Sequence, residues 1–221
     1  MIGLDRSQGS LIELSSPAGG ALLSVAVELI AQAQATAESA AWVGSTESCF
    51  YPPDVAAAGV DLRGLAVIRV SDARTAPRAT ARLLASGGFG LVVLDLVSFR
   101  TRPFIPMPLL IRLSGLVRTH CASLIVLTEK PEGQPSIGSL VSLRAEVRRS
   151  SSPTPEVEIH VIKDKQHRPG AIWRRALTDP IGFSAIGFSE AAGLREPSTV
   201  LRAGPAADAS GLEVRVRGRG G

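Results

Sequence analysis

Lysine, aromatic side chains and cysteine are all scarce in this chain, and each shortage closes off a class of protein. Against 3 Lys stand 21 Arg among 221 residues, so the formal charge of +4 reads as a compositional preference for arginine. Spread over the whole length, it is no sign of nucleic-acid binding in itself. Arginines cluster only at Arg148-Arg149, at Arg174-Arg175 and at the closing Arg215, Arg217 and Arg219, which are the candidates for nucleic-acid or partner contact. Cys49 and Cys121 have no second Cys or His at ligand spacing, which excludes a zinc site and a disulfide framework and predicts two reduced thiols with no metal. No run of 18 apolar residues occurs, and the opening MIGLDRSQGS lacks a basic start followed by an apolar stretch. The expectation is a cytoplasmic chain without a membrane span.

With aromatics at 4% and apolar residues at 45%, the core has to be built from Leu, Val, Ile and Ala, a composition that suits α/β layers. The length predicts one domain with an appendage. Residues 9–14 read as a strand, and a turn of small residues leads into a helix over 21–37, where Leu22, Val25, Ala26 and Leu29 keep helical spacing. Strands are predicted at 40–43, 65–70, 90–96 and 123–128, and helices at 52–58, 76–86 and 109–120. Pro103, Pro106 and Pro108 predict irregular chain before the last helix. Residues 141–148 and 157–163 alternate apolar and polar, as half-buried antiparallel strands do. The core is expected over 1–175. Residues 176–221, rich in Gly, Ala, Ser and Pro, are expected to form a flexible tail. Within it the alternation of GLEVRVR, 211–217, would suit adding a strand to a partner's sheet edge.

A phosphate-binding loop of the form GxxxxGK[ST] wraps phosphates in backbone N–H groups, neutralises them with lysine and holds Mg²⁺ through a hydroxyl. The corresponding stretch here is SSPAGGALLS. Ser15, Ser16, Pro17, Ala18, Gly19 and Gly20 keep a turn of small residues, but Ala21 and Leu22 stand where Lys and Ser/Thr should follow. Both the charge and the metal ligand are missing, so the loop reads as a non-functional remnant, and neither a nucleotide cofactor nor hydrolysis there is expected. Glu47 after the second strand and Asp95 at the end of GLVVLDL occupy places where acids would activate water and orient Mg²⁺. Without the lysine they have nothing to act on. Phe50 and Tyr51, bracketed by prolines, read either as an exposed anchor for a partner or as cover for the sheet.

From Gly9 to about Trp173 the order and wording resemble the RecA core. GSLIELSSPAGG resembles its strand and phosphate loop, AAGVDLRGLAVIRV its second βα connection, ASGGFGLVVLDL its metal-coordinating strand, CASLIVLTE the strand after it, and VEIHVIKDKQHRPG a strand and basic turn near its end. Within that superfamily SCFYPPDVAAAGVDL resembles the ImuA proteins, which carry an aromatic-Pro-Pro run before a similar AxxGVDL segment. The resemblance implies an α/β RecA-like core, its mostly parallel sheet flanked by helices and its C-terminal part rich in strands. It further implies a role in DNA-damage-induced mutagenesis, translesion synthesis within the SOS response, and a location at the nucleoid on DNA damage. The partners implied are RecA, an ImuB-like relative of the Y-family polymerases and an error-prone replicative-type polymerase.

The departures from RecA bear on mechanism. The chain starts almost at the core strand, without the N-terminal helix through which RecA protomers pack. The stretch EKPEGQPSIGS after Thr128 is short beside the second DNA-binding loop of RecA, and Glu129 replaces its switch glutamine. In RecA filaments two lysines of the motif that Lys163-Asp164-Lys165 resembles reach the ATP phosphates of the neighbouring protomer. The chain keeps that half of the interface and has lost the half that receives it. The expectation is a non-enzymatic protein that contacts RecA through Lys163 and Lys165 and inhibits or modulates its filament. The alternatives are a nucleotide-dependent DNA-binding ATPase of the recombinase class and an accessory protein that touches DNA weakly through its arginines.

Overall fold

The structure is a computed structural model that describes residues 9–17, 21–100, 104–130, 133–149, 156–165, 170–176 and 214–216. Strand β1 (Leu11–Ser16) leads to helix α1 (Leu22–Ala35), and β2 (Ala40–Ser45) to the short α2 (Pro52–Ala57). Then come β3 (Leu65–Val70), α3 (Thr75–Ala85), β4 (Leu91–Asp95), α4 (Met107–Thr119) and β5 (Ser123–Glu129). Four further strands follow, β6 (Leu143–Arg149), β7 (Glu156–Asp164), β8 (Ala171–Ala176) and β9 (Val214–Val216). They form one sheet in the order β3-β2-β4-β5-β1-β6-β7-β8-β9. The strands from β3 to β6 in that order run parallel, and β7, β8 and β9 add antiparallel.

The inner parallel strands β2, β4 and β5 read as nearly continuous apolar runs because helices cover both faces. Alternation along β1 sends Ile12 and Leu14 to a core built on α1, together with Trp42, Val93, Ile125 and Leu127. Leu11 faces the opposite way, into a second core that α3 and α4 close with Leu84, Leu110, Leu113 and Val117. Turn chemistry sets the boundaries. Gly59 after α2 and Gly87 after α3 have φ of 91° and 67°, a left-handed backbone that glycine adopts without Cβ strain. Pro52 and Pro53 occupy the first turn of α2, where a missing N–H leaves no hydrogen bond unmade.

Three expectations change. The last helix starts two residues earlier than expected, at Met107, because Pro106 caps it and Pro108 fits its first turn; residues 104–106 before it are irregular as expected, and Pro103 lies outside the described residues. The alternating run expected at 141–148 forms its strand over Leu143–Arg149, antiparallel to β7 on one side and parallel to β1 on the other, so β6 joins the two halves of the sheet. Within the expected tail, Val214–Val216 pairs with β8 of the same chain, Ala171 opposite Val216 and Trp173 opposite Val214. The V-R-V alternation that suits a partner's edge serves here to extend the chain's own sheet. Among the described residues no helix is long and apolar enough to cross a membrane.

Candidate functional site

The C-terminal ends of the parallel strands bring the expected loop remnant and the two acids to one edge. Ser15 and Ser16 end β1 with 1% and 5% exposure, Pro17 follows on the surface, and Ala18, Gly19 and Gly20 lie outside the described residues. Ala21 and Leu22 open α1 at 2% and 0% exposure, packed into the core around Trp42. The two positions that would carry the phosphate lysine and the metal-binding hydroxyl are therefore roots of the hydrophobic core. No side chain caps the helix, and its first turn holds no acid.

Asp95 ends β4 almost fully buried and is held by serines. Ser98 donates its backbone N–H to Oδ1 at 3.1 Å, Ser48 donates its hydroxyl to Oδ2 at 3.3 Å, and the Ser98 hydroxyl donates to the Asp95 carbonyl at 2.9 Å. The Ser45 N–H donates in turn to that same Ser98 Oγ at 2.9 Å. The carboxylate thus pins the loop after β2 and the turn after β4 to one another. Burial pushes its pKa above the ordinary aspartate value, and the bonds from Ser98 and Ser48 pull the other way. Glu47 does not join it. It is exposed, and only its backbone N–H is engaged, on Ser45 Oγ at 3.1 Å. Gly44 lets this cluster close, since a Cβ there would sit 3.1 Å from Trp42 Nε1 and 3.5 Å from Asp95 Oδ2. The Trp42 Nε1 donor is buried without a partner among the described residues.

Of the two readings of the aromatic pair, Phe50 takes the second, as cover for the sheet, and is not an exposed anchor. It is 6% exposed, with its ring 5.1 Å from that of Trp42 in a tilted arrangement, because the loop after β2 folds back over the sheet. Tyr51, at 53% exposure, is the member of the pair that faces solvent.

Lys163 and Lys165 lie at the opposite edge. β7 runs antiparallel to β6, so its last residues fall beside the start of β6, where Lys163 is opposite Arg144. Lys165 Nζ donates to the Ser139 carbonyl at 2.6 Å, with Lys163 Nζ 3.5 Å from the same oxygen. Burial, and after it the charge of Lys165, lowers the Lys163 pKa.

The arginine clusters are largely neutralised where the structure describes them. Arg148 Nε donates to Glu146 and Arg174 Nε to Glu158, each at 2.9 Å, and His160 shares Glu158 at 3.1 Å. These pairs form a row across β6, β7 and β8 on the face that α1 does not cover, with Arg148 opposite Glu158 and Glu158 opposite Arg174. Arg149 is exposed at the end of β6. Arg175 and Arg215 lie in β8 and β9, and Arg217 and Arg219 lie outside the described residues.

The most heavily bonded charged group escaped sequence reasoning. Glu13, in the middle of β1 at 0% exposure, binds Lys130 at the end of β5. It also accepts from Thr128 Oγ1 at 3.0 Å, Ser136 Oγ at 2.8 Å and the Ile137 N–H at 2.9 Å. Lys130 donates further to the Pro135 carbonyl at 2.9 Å, and Arg144 donates to the Gln134 carbonyl. Desolvation lowers the Lys130 pKa, which the bond and charge of Glu13 oppose. The cluster fastens the segment after β5 onto the sheet. The one sequence signal for it was an acid in an otherwise apolar strand.

No protein-family model matches the chain, and no curated protein matches it. The class that the fold defines is an α/β protein with a mixed, mostly parallel sheet covered by helices, continued by antiparallel strands at one edge. Among the described residues no three His, Cys, Asp or Glu side chains come together as a metal site.

Proposed function

We propose that this chain is a non-catalytic RecA-like accessory protein of the ImuA type. It acts in DNA-damage-induced mutagenesis by binding RecA and the polymerase proteins of translesion synthesis, and it inhibits growth of the RecA filament. The observation that carries the reading is the burial of Ala21 and Leu22, which puts core packing where a working phosphate loop places cation and metal ligand. The strand order, with β1 between β5 and β6 and the antiparallel strands beyond, accords with a RecA-like core. Lys163 and Lys165 lie at the other edge of the sheet from the N-terminus of α1. That separation is what head-to-tail stacking of such cores requires: the chain presents the lysine end to a RecA protomer and offers no nucleotide end to the next. Growth then stops at a one-sided cap.

The test is a pull-down of RecA on single-stranded DNA with an ATP analogue, run beside a strand-exchange assay and an ATP-turnover assay on the chain alone. Binding, slowed exchange and no turnover are expected, with binding weakened in Lys163→Ala/Lys165→Ala. Turnover by the chain would favour the recombinase-class ATPase, and unchanged binding of the double variant would end the capping mechanism. The reading as a DNA-binding accessory is disfavoured because Arg148 and Arg174 already face carboxylates.

A further inference from the structure

Every exposed side chain on α3 is arginine or small. Arg78 and Arg82, with Arg74 just before the helix, are exposed at four-residue spacing, a row about 12 Å long on one side of a helix. The other exposed positions are Thr75 and Ala85, while Ala76, Thr80, Ala81 and Leu84 are buried on the side that meets the sheet. By contrast α1 and α2 contain no Arg or Lys, and on α4 Arg118 folds back onto Ser114. The row works against the helix that carries it. Like charges four residues apart repel, and this happens twice, between Arg74 and Arg78 and between Arg78 and Arg82. No Asp or Glu stands three or four positions from any of the three. Asp72, the one acid from Ser71 to Gly90, is spent at the helix start, where it accepts the Thr75 hydroxyl at 2.6 Å and the N–H groups of Arg74 and Thr75. Arg78 and Arg82 make no ion pair with any described residue. A helix that breaks its own local charge rule in this way leaves the charges to a ligand of opposite sign.

What stands beside the arginines on α3 selects the anion. None of the large apolar side chains exposed among the described residues belongs to this helix. The face therefore lacks the aromatic or apolar centre around which a protein partner packs, and it lacks the side chains that would enter a bilayer. It also offers no exposed aromatic ring on which an unpaired base would stack. What remains is guanidinium groups about 6 Å apart on a rigid support. Phosphates of duplex DNA suit that face, because they are evenly spaced, ask only for charge and N–H donors, and keep the bases turned inward. At about 3.4 Å of helix axis per phosphate along one strand, the row spans about three to four of them.

We propose that the outward face of α3 holds the phosphate backbone of duplex DNA through Arg74, Arg78 and Arg82, without reading its sequence. The contact uses neither Lys163 and Lys165 on β7 nor Arg148 and Arg174, whose charge is met by Glu146 and Glu158. It stands whether or not RecA is a partner.

The experiment uses the full chain and a fluorescein-labelled DNA duplex, titrated by fluorescence anisotropy over a range of salt concentrations. An oligodeoxythymidine, polyglutamate and phosphatidylserine vesicles run alongside. Duplexes of different sequence are expected to bind equally, with an affinity that falls as salt rises. Each arginine contact contributes about 0.9 to the slope of log affinity against log salt, so Arg78→Ala/Arg82→Ala should flatten it by about 1.8. Arg78→Glu/Arg82→Glu should weaken binding by roughly tenfold or more at low salt. Both positions are exposed and removing like charges favours the helix, so the alanine pair should melt no lower than the parent by circular dichroism. Should the glutamate pair fail to fold, the alanine pair carries the test. No duplex binding by the parent, or variants with unchanged slope and affinity, overturns the proposal. Tighter binding of oligodeoxythymidine, polyglutamate or vesicles than of duplex, lost in the same variants, overturns it in favour of a single strand, an acidic protein or a membrane.

Discussion

Glu13→Ala removes the acceptor on which Lys130, Thr128, Ser136 and the Ile137 N–H converge. Breaking a buried pair from one side costs about 3–5 kcal/mol, because the remaining charge and donors stay in the interior unanswered. For a chain of this size that is a fall in melting temperature of roughly 6–20 °C. The cost should depend on pH. Desolvation already holds the Lys130 pKa below 10.5, and losing Glu13 removes what opposes it. Between the folded pKa and 10.5 the unfolded chain binds more protons than the folded one, so stability rises with pH across that window. The Glu13→Ala deficit measured by urea unfolding should therefore be smaller at pH 10 than at pH 7. Glu13→Leu/Lys130→Met, which removes both charges, should recover the part of the loss that comes from the unpaired charge but not the part from the Thr128 hydroxyl and the Ile137 N–H, which still lack their acceptor. A loss under about 1 kcal/mol for Glu13→Ala, or a double variant as unstable as the sum of the singles, would refute the reasoning.

Asp95→Asn keeps an acceptor for the Ser98 N–H and removes a buried charge. The Asp95 pKa is raised in the fold, so the folded chain binds more protons above pH 3.8, and stability is lost as pH rises through the folded pKa. The variant should match the parent near pH 3.5 and gain on it as pH rises to 7 in thermal melts. If the parent gains instead, the carboxylate is needed ionised, as a metal-orienting acid would be. For the aromatic pair, Phe50→Ala should cost about 3–5 kcal/mol through the cavity left against Trp42, and Tyr51→Ala less than about 0.5 kcal/mol. Equal costs in chemical unfolding would show that the loop after β2 does not pack as described.

The sequence by itself determined the order of elements, because apolar periodicity and turn residues act locally. β3 is found at Leu65–Val70 as expected, and α1, α3 and α4 lie within two residues of where composition and glycine placed them. The defect of the phosphate loop was equally legible, since Ala21 and Leu22 lack the needed groups in any conformation. What only the tertiary structure decided depends on which residues meet across distances in sequence. Glu13 finds Lys130 more than a hundred positions away because β1 lies next to β5, and nothing local to either residue announces the pair. Phe50 and Tyr51 are neighbours with the same prospects, separated into core and surface by the way one loop folds over Trp42. Arg148 and Arg174 looked like free charge until antiparallel pairing set Glu158 between them. Local chemistry settles which elements form, and charge and exposure acquire their meaning only when the sheet fixes their neighbours.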